Sequence, residues 1–127
     1  MYEEFVATDR WTKQPLECSY QALVVAIATR HADAIDVKFS VGDRAVWIAL
    51  PHPAWVEYTR QTGRVITDPL AIDAAGHYLK YAIESGLDSG REMYALNVAE
   101  TLEHVNAVLA EAGRPAEQPV TPRRGEE

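Results

Sequence analysis

Two carboxylate–histidine pairs are the residues best spaced for chemistry in this chain. Asp73 with His77, and Glu100 with His104, each stand four residues apart, the interval that puts two side chains on one face of a helix. Two such helices side by side would offer four ligands to a metal ion. Neither pair, however, matches HExxH, a paired ExxH arrangement or a zinc spacing of Cys and His. Exposed ion pairs at this interval are common on helices. Asp73, His77, Lys80 and Glu84 read as one solvated stripe, and His104 falls on the charged side of its helix with Glu100, Glu103 and Glu111. The sequence therefore predicts no metal site and no cofactor.

Cys18, the single cysteine, would be a nucleophile only with a lowered pKa, and no neighbouring cation supplies one. A free cysteine in such a setting is a small buried apolar residue. Asp9, Arg10, Asp33 and Asp36 read as loop and strand-edge charges. GxGxxG, GxxxxGK[ST] and GxSxG do not occur, so the phosphate-cradling loops and the esterase elbow are missing.

The richest short stretch is PHPAW, residues 51–55. It reads first as a strand-to-helix joint: Pro51 ends a strand, His52 occupies the cap region, Pro53 opens a helix and Trp55 anchors its first turn. His52 would also stand where open backbone N–H groups attract anions. Trp47, Trp55, Tyr58 and Arg60 are the side chains that would share such a cleft with it. Trp47 has a second reading. On the strand before the joint it points away from the apolar face, opposite Lys38, and an exposed aromatic residue beside a cation is a common interface anchor. Lys38, Trp47, His52, Trp55, Tyr58 and Arg60 are thus the candidate binding residues; none is assigned a catalytic role.

The elements that must position them follow from periodicity and turn chemistry. Residues 2–8 are β-prone and predict a short strand. Leu16, Tyr20, Leu23, Val24, Ile27, Ala28 and His31 recur at the spacing of one helical face behind Pro15, which predicts a helix. Gly42-Asp43 is a two-residue link with glycine first, as a type II′ hairpin requires. That turn fixes a register in which Phe39 faces Val46, Val37 faces Ile48 and Ile35 faces Leu50, while Ser40, Lys38 and Asp36 face Ala45, Trp47 and Ala49. Three helices are expected next. One starts at Pro53 and stops at Gly63, and one starts at Thr67-Asp68-Pro69 and stops at Gly86. The last starts at a Ser89–Glu92 capping box and stops at Gly113. The fold class is α+β: a short N-terminal strand, a helix, a β-hairpin and three C-terminal helices on a small antiparallel sheet.

Length and charge bound the rest. A chain of 127 residues suits one domain with a real core, here residues 1–113, followed by a proline-rich tail, 114–127, that reads as disordered. Arg114, Arg123 and Arg124 balance Glu117, Glu126 and Glu127, so the net charge of −7 belongs to residues 1–113. No Lys/Arg cluster forms, which disfavours nucleic acid. No apolar run approaches the roughly 18 residues of a membrane span. The start, MYEEFVATD, lacks the basic and apolar pattern of a secretion signal. With one unpaired cysteine, the expected compartment is the cytoplasm.

These features predict a small acidic, non-catalytic protein-interaction domain, with a basic protein as the partner its charge would suit. They also predict a homodimer. The helix from Pro69 is apolar around most of its circumference, and a second copy of the chain would cover it. The alternative is a small-molecule-binding protein or weak hydrolase built around His52.

Overall fold

The hairpin is the part of the fold that sequence and structure share most closely. The computed structural model describes residues 1–26 and 34–113; Ile27, Ala28, His31, Asp33 and the tail from residue 114 lie outside the described residues. Strands β3 (Ala34–Val41) and β4 (Arg44–Pro51) pair in the expected register, from Val41 opposite Arg44 to Ile35 opposite Leu50. Gly42 takes φ 60° while Asp43 keeps a negative φ, as the type II′ turn demands. Val37, Phe39, Val46, Ile48 and Leu50 are fully buried.

The predicted helix after Pro15 is a strand. β1 (Glu4–Thr8) and β2 (Pro15–Ala26) extend the hairpin into an antiparallel meander. The reason lies at Gln21, where the register between β2 and β3 shifts from Tyr20–Phe39 to Ala22–Lys38. A bulge adds one residue and reverses the alternation beyond it. Leu16, Cys18 and Tyr20 pair with core-facing residues before the bulge, Leu23 and Val25 after it. The resulting steps between Leu16, Tyr20 and Leu23 imitate helical spacing. Pro15 sits at the first strand position, where a missing N–H is tolerated.

Helix α1 (Pro53–Thr62) and helix α2 (Asp68–Ser85) match their expected ends. Thr67 accepts from the Leu70 amide at 3.3 Å, and Gly63 and Gly86 close the two helices in the left-handed region. The third helix starts later than expected. Ser89–Glu92 is no capping box: residues 93–95 form a short strand, β5 (Met93–Ala95), parallel to β4. The sheet is therefore five-stranded and mixed, in the order β1-β2-β3-β4-β5. Helix α3 (Val98–Glu111) begins at Asn97, whose side chain accepts from the Glu100 amide at 2.7 Å while Glu100 accepts from the Asn97 amide at 2.9 Å. That reciprocal pair is the true capping box.

An α+β fold results, with one core between the sheet and the helices. Tyr58 of α1, Leu79 and Ile83 of α2, and Val105 and Leu109 of α3 share it with the inward residues of the sheet. Apart from Tyr81, the large apolar side chains of helix α2 are covered by its own chain. It packs on β1 to β4 and along α3, and Leu70, Ala71, Ala74, Ala75, Leu79, Ala82 and Ile83 are all buried. The apolar circumference that suggested a second subunit is covered within one chain, so this helix gives no reason for a dimer. Its polar stripe is not a solvated face either: Asp73 accepts from the Tyr2 amide at 2.8 Å and Glu84 from the Thr8 amide at 3.1 Å. The stripe is where the N-terminal segment and β1 dock. Gly76 makes that approach possible, since a Cβ there would lie 2.5 Å from the Tyr2 Cβ. Among the described residues no helix is long and apolar enough to cross a membrane.

Candidate functional site

The face of the sheet turned away from the helices brings Lys38 and Trp47 together. Alternation along each strand sends Ser40, Lys38 and Asp36 of β3, and Ala45, Trp47 and Ala49 of β4, to this side. Two rows cross it: Ala22, Lys38, Trp47 and Met93, then Val24, Asp36, Ala49 and Ala95. Along β4 small Ala45 and Ala49 flank the partly exposed Trp47. Lys38 and Met93 lie opposite it on the neighbouring strands, so the surface is a shelf with Trp47 near its centre. Apolar side chains remain in water along it, with Val6 52%, Val24 45% and Met93 42% exposed. Lys38 Nζ lies 5.7 Å from the Trp47 ring centroid, close enough for a cation–π contact.

The charges on this face are mostly acidic. Glu4, Glu17 and Asp36 stand against Lys38 alone in these rows and their extension onto β1. Burial raises the Asp36 pKa above the ordinary carboxylate value. Among the described residues no salt bridge reaches Asp36. A half-buried carboxylate without a paired cation is a position that an incoming positive charge would stabilise.

The six residues singled out in the sequence do not converge. Lys38 and Trp47 meet on the open sheet face. Trp55 and Arg60 lie elsewhere, in a shallow recess on α1 with Val56, Thr59 and Val65. Trp55 donates from Nε1 to the Ile66 carbonyl at 3.1 Å, and Arg60 Nε donates to Glu57 at 2.9 Å. That bond comes first among the causes holding the Glu57 carboxyl down at about 2. Tyr58 is buried in the core. His52 caps α1 with its backbone only, makes no side-chain cap bond, is exposed and is not part of the recess. Among the described residues no hydrogen bond or ion pair joins His52 to a carboxylate that would orient its ring. Cys18 is buried, and burial pushes its thiol up to about 11, the opposite of nucleophile activation.

No known family model, curated protein or solved structure matches this chain.

A second cluster joins residues that the sequence placed on two solvated faces. His77 Nδ1 lies 2.7 Å from His104 Nδ1, and His77 Nε2 lies 3.1 Å from Glu111. Glu111 also accepts from the Tyr2 hydroxyl at 2.6 Å. His104 is only 8% exposed, contrary to its expected place on the charged side of α3. Burial, and after it the nearby His77, pulls its pKa below the ordinary histidine value. The signal was faint: Thr101, His104 and Val108 recur at three and four residues, a second buried line beside Leu102, Val105 and Leu109. Among the described residues no group of three or more His, Cys, Asp or Glu side chains could hold a metal ion. The cluster works as a seam between α2 and α3.

Proposed function

We propose that this protein is a non-catalytic interaction domain that receives a basic protein segment on its open sheet face. The observation that carries the reading is the Lys38–Trp47 pair on a partly apolar, uncovered sheet face, with the helices α1 to α3 on the other side. Interfaces concentrate their energy in a few aromatic and arginine anchors surrounded by contacts that mainly exclude water. Small Ala and Ser side chains lose little rotamer freedom when covered. Glu4, Glu17 and Asp36 favour cationic residues around an apolar centre on the partner. A second copy of the chain would present the same predominantly acidic face, whose net charge opposes its approach; a heterologous basic partner fits better than a homodimer.

The test compares affinity capture from the native host by the wild-type protein, by Trp47→Ala and by Val56→Ala on the helical side. Loss of one basic protein with Trp47→Ala, but not with Val56→Ala, supports the reading. Equal retention by all three contradicts it. Light scattering on the purified chain distinguishes self-association from capture of another protein.

A further inference from the structure

A recess of about 280 Å³ opens between α2 and α3 on the helical side of the molecule, away from the sheet face. Three rings define it. Tyr78 meets His104 edge-on, with centroids 5.3 Å apart and planes at 85°, while Tyr81 lies 5.9 Å from His104 and 6.5 Å from Tyr78. Glu100, Glu103 and Ala107 of α3, His77 of α2, and Leu87 complete the lining. Tyr81 is 52% and Leu87 51% exposed although both border a cavity, so the rim is apolar and still accessible to a ligand.

The chemistry of the lining selects a charge sign. The negative faces of aromatic rings attract cations, and the attraction grows where water is excluded. Two carboxylates add the same preference. His104 does not oppose it, because burial and His77 favour its uncharged ring. His77, the other imidazole of the lining, turns its Nε2 to the Glu111 carboxylate at 3.1 Å. The nearest guanidinium, Arg91, is already held over the Tyr94 ring at 5.3 Å, and Lys80 lies in the adjoining groove with His77 and Glu84. Neither belongs to the recess lining. Aromatic rings and carboxylates lining one small recess are the ingredients by which quaternary ammonium groups are recognised.

We infer that the Tyr78–Tyr81–His104 recess binds a small organic cation of the alkylammonium class. Glu100 and Glu103 supply long-range attraction and the rings supply contact. The site is independent of the sheet face and requires no partner protein.

Choline and its neutral isostere 3,3-dimethylbutan-1-ol are the probes, titrated into the full chain and followed through the tyrosine ring resonances. Choline should shift Tyr78 and Tyr81 with millimolar affinity, and the isostere should bind about tenfold more weakly for want of its charge. Tyr81→Phe should keep binding, since the ring face remains, while Tyr81→Ala should abolish it. Because Tyr81 is exposed, the alanine variant is expected to fold, and its backbone spectrum verifies that. Glu103→Gln should weaken choline several-fold and leave the isostere unchanged. Equal binding of the two probes, no shift with either, or unchanged choline binding by Tyr81→Ala would each overturn the proposal.

Discussion

Replacing Gly76 by alanine should destabilise the protein although alanine is the better helix former. The added Cβ would lie 2.5 Å from the Tyr2 Cβ, 3.0 Å from the Tyr2 carbonyl oxygen and 3.3 Å from the Phe5 ring. Carbon atoms in contact prefer roughly 3.5–4.0 Å, so the N-terminal segment must retreat by about 1 Å. It cannot do so freely: the Tyr2 amide is bound to Asp73 at 2.8 Å, its hydroxyl to Glu111 at 2.6 Å, and its ring packs edge-on against Phe5 and His77. Overpacking of this kind costs about 1–3 kcal/mol. The gain in helix propensity returns about 1 kcal/mol. With Tyr2 held at all these points the cost falls in the upper half of that range, so a net loss of about 1–2 kcal/mol is expected, or about 4–8 °C in Tm for a chain of this size. Urea and thermal unfolding of Gly76→Ala, Tyr2→Gly and the double variant read it out as a cycle. In the Tyr2→Gly background the worst clash is gone, and alanine at 76 should cost less than half as much. A Gly76→Ala protein as stable as the wild type would show that the N-terminal segment does not cross α2 at this glycine.

Three further substitutions test other parts of the account. Asn97→Ala should cost about 0.5–2 kcal/mol, the usual loss on removing a helix cap, whereas Ser89→Ala should be nearly neutral; a reversal of that order in urea unfolding would return the helix start to Ser89. His104→Gln should flatten the pH dependence of stability on the acid side of neutrality. Because the folded pKa of His104 is lowered, the unfolded chain takes the proton first. Its contribution is complete above the ordinary value near 6.5 and is lost as pH falls through the folded value. Unfolding midpoints between about pH 8 and pH 5 should fall more steeply for the wild type than for the variant, and parallel curves would refute the buried neutral histidine.

What was legible in the sequence follows the locality of the physics. The Gly42-Asp43 turn and the alternation on both flanking strands are local and agree, so register, core face and open face could all be written down in advance. The ends of α1 and α2 were likewise marked by Pro53, Thr67, Gly63 and Gly86. β2 was misread because one bulge at Gln21 turns a two-residue alternation into steps of four and three, and the bulge is set by pairing with β3 and not by a local residue preference. The start of α3 was misread because Ser89–Glu92 and Asn97–Glu100 both carry capping-box chemistry, and only the parallel pairing of Met93–Ala95 with β4 selects the second. On the candidate site, Lys38 and Trp47 were legible as a cross-strand pair. The breadth of the shelf was not, since Ala22, Val24 and Met93 join it only through β2 and β5. The His77–His104 contact, 27 residues apart in the chain, depends on how two helices pack, which neither helix's own periodicity reveals.

The claim that the open sheet face is the docking surface is tested most directly by site-specific photo-crosslinking in the native host. A crosslinking amino acid at Ala49, beside Trp47 and Asp36 on the shelf, should capture a basic protein in a discrete adduct. Adding Trp47→Ala should remove that adduct, since an aromatic anchor of this kind contributes about 2 kcal/mol or more, roughly a thirtyfold change in affinity. The same amino acid at Val56, exposed on α1, should capture nothing comparable. Adducts from Val56 that match those from Ala49, or an Ala49 adduct that survives Trp47→Ala unchanged, would contradict the account.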